Sequence, residues 1–488
     1  MHEMPVSQRI SRLEMLGIPP VLQTTLLIGV IALLIDPARF ITGDTWFNLV
    51  FGREISSHGL PRTNDHTLFM HGAPWVDTQW LAHDAFYAIG RYAGFAALFA
   101  TRLALWIGTF TTVASFAIRR GATHGRVAML TLFAMAISGP LFAVRAQAFG
   151  ELSYAALLVL LSRARTWKRD GLIALLLVFW CNVHGSVLLG IAVTGLAALI
   201  DCIVALRKRK AESPWRTIAL SGASMPLFIA SAFASPYGLA VWSAYKGTAG
   251  NPIVANYITE WARPTLEDVP LTFVGFALVV LCVWRARAAL PAFHTSVLVV
   301  AALLALTAVR HAMFFGISFA LVMPELVDRA LPKDALRFES ERIFRWASRV
   351  LSAVFIGLLV VLFATMKAQV SERFPAGVAR EIEARAGVEG RVFASPGRAD
   401  WLLFYAPQLK GRVAYDARAE LFEESEMLWV ADLMSDQPSP QALFRLTHYE
   451  VLCLSSRETP GLIRALEHTP VYRQIQRDAY MHVYLRAE

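Results

Sequence analysis

The sequence predicts a polytopic α-helical membrane protein carrying a small C-terminal α/β domain, and three observations predict it. The chain of 488 residues is 56% hydrophobic, has a mean hydropathy of +0.47, and is only 17% charged. A soluble protein of this size carries about 25% charged residues. Apolar stretches of spanning or near-spanning length recur from residue 20 to residue 366. After that the pattern changes to short strands alternating with helices.

The apolar stretches begin near residues 20, 95, 127, 147, 171, 186, 217, 271, 290, 312 and 348. That makes about eleven transmembrane helices on the usual window of roughly 20 residues. The stretch at 20–35 runs into "LLIDPARF" with no small-x-small cleavage site, so it reads as a retained helix rather than a signal peptide. Basic groups set the orientation. Arg9 and Arg12 precede the first span, and Arg119, Arg120 and Arg126 follow the second. Arg163, Arg165, Lys168 and Arg169 follow the fourth, "RKRK" at 207–210 the sixth, and Arg285 and Arg287 the eighth. Arg337, Arg342, Arg345 and Arg349 precede the last. Basic residues on alternate connections place the N-terminus in the cytoplasm, a first outer loop at about 36–94, and everything from 367 onward outside. The same distribution removes a nucleic-acid reading of the net charge of +9.

The segment between the basic groups at 163–169 and 207–210 must turn back once, and "NVHGS" at 182–186 is the place for it. The thirteen residues before that turn span only about 20 Å as a helix, against a hydrocarbon core of roughly 30 Å. Asn182 and His184 are therefore expected below the outer surface, where polar groups face protein or a watery cavity.

The tail at 367–488 reads as strands at 391–395, 412–416, 450–455 and 481–486, with helices at 423–434 and 459–467. This alternation suggests an at least partly parallel sheet. The tail has no phosphate-binding glycine motif, and the chain has no internal repeat. Cys181, Cys202, Cys282 and Cys453 are too few and scattered for a disulfide framework or a zinc site.

On this topology the unusual polar residues gather on the outer side. Asp44, Asn48, His66, His83 and Asp84 lie in the first outer loop, and Arg145, Gln147 and Glu151 in the second. Asn182 and His184 sit at the turn, Glu260 and Trp261 in the fourth loop, and Arg310 and His311 in the fifth. A solvated face would also be polar. An acid for proton transfer together with several cations for an anionic group is, however, what a phosphate-leaving reaction requires. Arginine suits phosphate because its planar fork donates two parallel hydrogen bonds. Two readings of Asp44 stay open: a helix cap, or a carboxylate that works on a substrate. Trp46 and Trp261 read either as interfacial anchors or as surfaces on which a sugar stacks.

"DTWFN" at 44–48, just after the first span, resembles the first-loop motif of the oligosaccharyltransferase catalytic subunit, a C-type (GT-C) membrane glycosyltransferase. The run from Asp44 to Tyr87 is similar to a group of bacterial polytopic proteins assigned to the same superfamily. So are "VRAQAF" (144–149), "WCNVHGSVLLG" (180–190), "SPYG" (235–238), "ITEWARP" (258–264), "VRHAMFF" (309–315) and "VAYDARAELF" (413–422). The resemblance implies a GT-C-like fold in a bacterial cytoplasmic membrane and a sugar donor carried on polyprenyl phosphate. It implies that Asp44 acts as base or orients the acceptor. Arg145, His184, Arg310 and His311 are then the expected phosphate ligands. Trp46, Asn48, His83, Asp84, Asn182, Glu260 and Trp261 are the expected substrate contacts. The second outer loop offers only Glu151 where the oligosaccharyltransferase pattern has an acidic pair, and a "WWD"-like motif is absent. These departures point away from asparagine-glycan transfer and toward transfer of one sugar to a lipid, glycan or protein. A divalent metal is an option, with Asp44, His83 and Asp84 as the ligands on offer. The rival readings are a transporter or flippase of a lipid-linked anion, which internal repeats would favour, and a non-catalytic envelope assembly protein.

Overall fold

The computed structural model describes residues 18–207, 214–249, 259–286, 291–332 and 341–487. Arg9, Arg12, residues 208–210 of the basic group, Arg287 and Arg337 lie outside the described residues.

Every apolar stretch found in the sequence is helical. Helix α1 (Pro20–Leu33) starts with proline in its first turn, where the missing N–H costs nothing. It packs against α4 (His124–Ser138) and the long helix Glu341–Arg373. Asp36, just past its end, accepts from Arg373 Nη2 at 2.9 and 3.0 Å. Helix α2 (Gly43–His58) begins where the Thr42 N–H donates to Thr45 Oγ1 at 3.1 Å, and it ends at Gly59, whose φ of +86° suits glycine. Helix α3 (Trp80–Arg119) is broken at Gly94 (φ +77°), so the apolar run expected from about residue 95 is the second limb of a longer element.

Helices α5 (Gln147–Leu161), α6 (Trp167–Val183) and α7 (Val187–Arg207) follow, with α6 and α7 reversing at 184–186 as the charge pattern requires. Helix α8 (Pro214–Ala232) and the short α9 (Val241–Ala249) lead to helices Pro270–Ala286, Ala292–Ala305 and Ala312–Ala330. The last of these is buried at every position from Ala312 to Pro324, the signature of a central helix, and carries its charges, Glu325, Asp328 and Arg329, only in its final turns.

By length and composition, four described segments are apolar enough to cross a membrane: 80–119, 187–207, 309–330 and 341–386. Helices 20–33, 147–161, 217–232, 270–286 and 292–305 are apolar but shorter. The domain boundary expected at 366 falls inside a helix that continues to Arg373.

Beyond it, four described strands form one sheet in the order β1-β2-β4-β3: Val392–Ala394, Val451–Ser455, Met481–Arg486 and Tyr472–Arg477. β1 and β2 are parallel, and the other pairs are antiparallel. Two expectations are corrected. The segment 412–416 is no ladder strand: Val413 makes single parallel bridges to Val392 and Thr67, stitching the first loop to the sheet edge. Strand β3, absent from the sequence reading, is an edge strand with Tyr472 buried but Arg473 and Gln474 exposed, so it lacks an apolar alternation.

The sheet region is clamped to the helices. Arg53 donates to the carbonyls of Leu403 and Phe404 at 2.7 Å each, and Lys410 pairs with Glu54 at 3.0 Å. Trp46 is fully buried here, ringed by Phe95, Phe374, Phe404 and Tyr405 at centroid distances of 5.2–5.5 Å.

Candidate active site

A cavity of about 1000 Å³ opens among α2, α5, α7, the turns at 259–261 and 309–311, and the loop at 417–420. Part of its wall is polar, and the rest is apolar: Leu188, Leu189, Ala192 and Leu196 of α7 with Val300 and Leu304.

Asp44 joins the polar part of the wall from the first turn of α2. The N-cap of α2 is Thr42, two residues earlier, so Asp44 is a first-turn residue and not the cap. Its side chain is 43% exposed, and its Oδ2 accepts from Arg145 Nη1 at 3.2 Å. Asn48, one turn on, donates Nδ2 to the Asp44 carbonyl at 2.6 Å; its Oδ1 is buried with no partner among the described residues.

Arg145 lies in an irregular segment before α5 whose backbone is fixed on both sides. Val144 N–H donates to Phe40 O at 3.0 Å, and Thr45 Oγ1 donates to Val144 O at 2.7 Å. Arg102 Nε donates to Ala143 O at 2.9 Å while its other nitrogens grip Glu151 at 2.7 and 3.1 Å. Arg102 and Glu151 are both fully buried, so Glu151 is the counter-ion of this clamp and does not line the cavity. Arg145 itself is 8% exposed. Its Nη1 serves Glu260 at 2.7 and 2.8 Å as well as Asp44. Its Nε and Nη2 are buried without a partner among the described residues, as is Gln147 Nε2 beside it. Burial alone would push the Arg145 guanidinium down, but the carboxylates of Glu260 and Asp44 outweigh it and raise it. For Glu260 burial pushes up, and the Arg145 charge and hydrogen bond win, holding it below the usual carboxylate range.

The Ala262 carbonyl accepts from Val309 N–H at 3.0 Å, joining the turn that carries Glu260 and Trp261 to the turn that carries Arg310 and His311. The Arg310 guanidinium stacks over Trp261 at 4.4 Å and donates to Gln147 Oε1 at 3.3 Å. Among the described residues it has no carboxylate within ion-pair distance. His184, at the α6–α7 turn, faces the same cavity.

The structure thus brings together Asp44, Asn48, Arg145, His184, Glu260, Trp261, Arg310 and His311. It separates the other expected substrate contacts from them. Trp46 is a core residue with no face left for a sugar. His83 is fully buried, its Nδ1 2.8 Å from Asp77 Oδ2 and its ring against Phe47. Asp84 accepts from Ser56 Oγ at 2.8 Å between α2 and α3, outside the lining. Asn182 is used up internally, accepting from Trp80 Nε1 at 2.7 Å and donating to Val178 and Ala234 carbonyls. His66 packs on Phe51, and burial with Arg418 and Lys410 nearby pushes it down to about 2. Asp44, His83 and Asp84 therefore do not converge as metal ligands. Among the described residues no group of three or more His, Cys, Asp or Glu is placed to hold an ion; no step is assigned to one.

Sequence reasoning passed over part of the wall. Asp77, Tyr245, Arg418 and Glu420 all line the cavity. Arg418 is sandwiched between Phe51 (4.7 Å) and Trp75 (4.5 Å), forks onto Asp416 and reaches Asn64 at 2.6 Å. Burial pushes Glu420 up to about 6. The block "VAYDARAELF" contains both residues, but nothing in its pattern marks them as facing a cavity built by a distant loop.

No family model matches the sequence, and no curated protein matches it. Solved structures do match the fold. The arabinofuranosyltransferase AftD from Mycobacteria is 14% identical, with 99% of this chain and 40% of that one covered and a TM-score of 0.48. This chain therefore spans less than half the length of that protein. ArnT from Cupriavidus metallidurans, in the apo state, is 15% identical over 94% of this chain and 97% of that one, with a TM-score of 0.49. The Archaeoglobus fulgidus oligosaccharyltransferase, in the apo form, is 9% identical over 99% and 75%, with a TM-score of 0.50. The chain shares the fold of the Archaeoglobus fulgidus oligosaccharyltransferase.

Proposed function

We propose that the protein is an integral-membrane glycosyltransferase moving a sugar from a polyprenyl-phosphate donor to a lipid, glycan or protein acceptor at the outer face of a bacterial cytoplasmic membrane. The observation that carries the reading is Arg145: a buried guanidinium with two nitrogens that have no partner among the described residues, in a cavity whose wall is partly apolar. Leaving such donors unsatisfied is costly, and the phosphate of a lipid-linked sugar satisfies them while its hydrocarbon lies along Leu189, Ala192 and Leu196. The resemblance of "DTWFN" and the GT-C fold support the same reaction class.

In this reading the acceptor hydroxyl oxygen attacks the anomeric carbon, and the bond from that carbon to the phosphate oxygen breaks. The electron pair leaves with polyprenyl phosphate, whose charge Arg145, Arg310 and His184 stabilise. Asp44 takes or orients the hydroxyl proton. Glu260 and Asp44 hold the Arg145 guanidinium from one side so that its open edge is presented to phosphate. The N-terminus is cytoplasmic, and the α/β region belongs to the outer side, where Arg418 and Glu420 close the cavity.

The test is binding and transfer with purified protein in nanodiscs. Undecaprenyl phosphate should bind and should compete with bacterial lipid-extract donors for sugar transfer. Absence of saturable undecaprenyl phosphate binding by the intact wild-type protein would refute the reading.

A further inference from the structure

His184 and His311 both line the cavity, and each has its Nδ1 tied to protein. The partners are of opposite kind. His184 Nδ1 lies 3.0 Å from the backbone N–H of Ser186, a group that can only donate. Nδ1 must therefore carry the lone pair. With the lone pair there, Ser186 Oγ, 2.8 Å away, can only donate to it, while accepting the Trp180 Nε1–H at 3.0 Å. The ring proton is left on Nε2. His311 Nδ1 lies 3.1 Å from the carbonyl of Leu304, a group that can only accept. Its proton must be on Nδ1. Thr307 Oγ1, 3.0 Å from the same nitrogen, gives its hydrogen to Leu304 O at 2.6 Å and so also acts as acceptor. In the neutral ring the lone pair is left on Nε2. Neither Nε2 has a hydrogen-bond partner among the described residues.

We infer that the two histidines are held in opposite tautomers and divide the donor head group between them: His184 gives its Nε2–H to a phosphate oxygen, and His311 accepts a sugar hydroxyl at Nε2. This rests on the donor proposed above and replaces the expectation that both rings bind phosphate. A neutral His311 turns a lone pair toward any oxygen anion and so repels it. Ser186 and Trp180 are positioning residues: they fix the tautomer without touching the donor. The division suits a cavity where Arg145 and Arg310 already supply positive charge.

The experiment uses full-length protein in nanodiscs with ¹⁵N-labelled histidine, the two rings assigned through His184→Gln and His311→Asn. At neutral pH His184 should show protonated Nε2 and unprotonated Nδ1, with His311 reversed. Undecaprenyl phosphate is then titrated. His184→Asn, which loses the outer N–H, should bind about tenfold more weakly than wild type, the scale of one hydrogen bond to a charged group. His184→Gln, whose amide reaches the Nε2 position, should bind more tightly than His184→Asn. His311→Asn should stay within about twofold of wild type, because this probe carries no sugar. Protonation of His184 at Nδ1, matching tautomers, an imidazolium at His311, or equal losses in His184→Asn and His311→Asn would each overturn the inference. If the tautomers are as assigned but wild type does not bind the probe, the phosphate role falls together with the proposed donor.

Discussion

Arg145 gives a single guanidinium nitrogen to both oxygens of Glu260, at 2.8 and 2.7 Å, and its Nε and Nη2 have no partner among the described residues. Lysine could satisfy Glu260 but could not also present a planar edge to phosphate. Arg145→Lys should therefore fold and insert, yet bind undecaprenyl phosphate roughly tenfold or more weakly, the worth of a charge-assisted hydrogen bond. Calorimetric titration in nanodiscs checks it; unchanged affinity would take phosphate away from Arg145.

Asp44 does not cap α2, so changing it should leave the helix intact. Asp44→Asn keeps the shape and removes the charge. General-base catalysis typically contributes about 100- to 10,000-fold, and glycosyl transfer should fall by roughly that range while undecaprenyl phosphate still binds. A complementation assay in which the asparagine variant restores wild-type surface glycan would sink the catalytic role.

Gly150 of α5 abuts the His184 network: a Cβ there would sit 2.6 Å from Ser186 Oγ and 3.1 Å from Trp180 Nε1. Gly150→Ala should cost about 1–3 kcal/mol by overpacking and should disturb the His184 ring signals. Thermal unfolding and the histidine spectrum report on the two effects separately; an unchanged spectrum at reduced stability would detach Gly150 from the network.

Glu420 keeps its proton to about pH 6, against an ordinary carboxyl value of 4.5, because it is buried. The folded state then binds the proton more tightly than the unfolded one. This group's contribution is full below pH 4.5 and declines as pH rises to about 6, then levels off. Glu420→Gln should remove that decline. Melting temperatures of the two proteins compared from pH 4 to pH 7 should diverge across this window; parallel curves would contradict the assignment.

Topology is open to chemical labelling. In a background without the four native cysteines, single cysteines at the exposed Asp65 and Asp436 should react with an impermeant reagent in spheroplasts, and one at the exposed Arg207 should not. The reverse pattern would turn the cavity toward the cytoplasm.

Much of the helical part was legible in the sequence because apolar runs and turns are local signals: the reversal at 184–186 and the start of the second apolar run at Gly94 are both visible in residues near them. The polar wall of the cavity was legible for the residues that flank spans, including Asp44, Arg145, Glu260 and Arg310. What failed was the inference from polarity to exposure. His83, Asp84 and Asn182 are as polar as Asp44, but each finds a protein partner that no local pattern reveals. Trp46 is aromatic at a helix start, as a sugar platform would be, and is instead packed by Phe374, Phe404 and Tyr405 from more than 300 residues away. Arg418 and Glu420 were missed for the same reason.

The Arg418 guanidinium between Phe51 and Trp75 has a bearing on genetics. A nonsense allele ending after the last long helix removes that wedge, along with the acceptors that hold Arg53, so it strips packing from α2 as well as deleting the tail. Loss of activity in such an allele reports a damaged α2 as readily as a missing C-terminal region. Point replacement of Arg418 with the tail intact is the cleaner dissection.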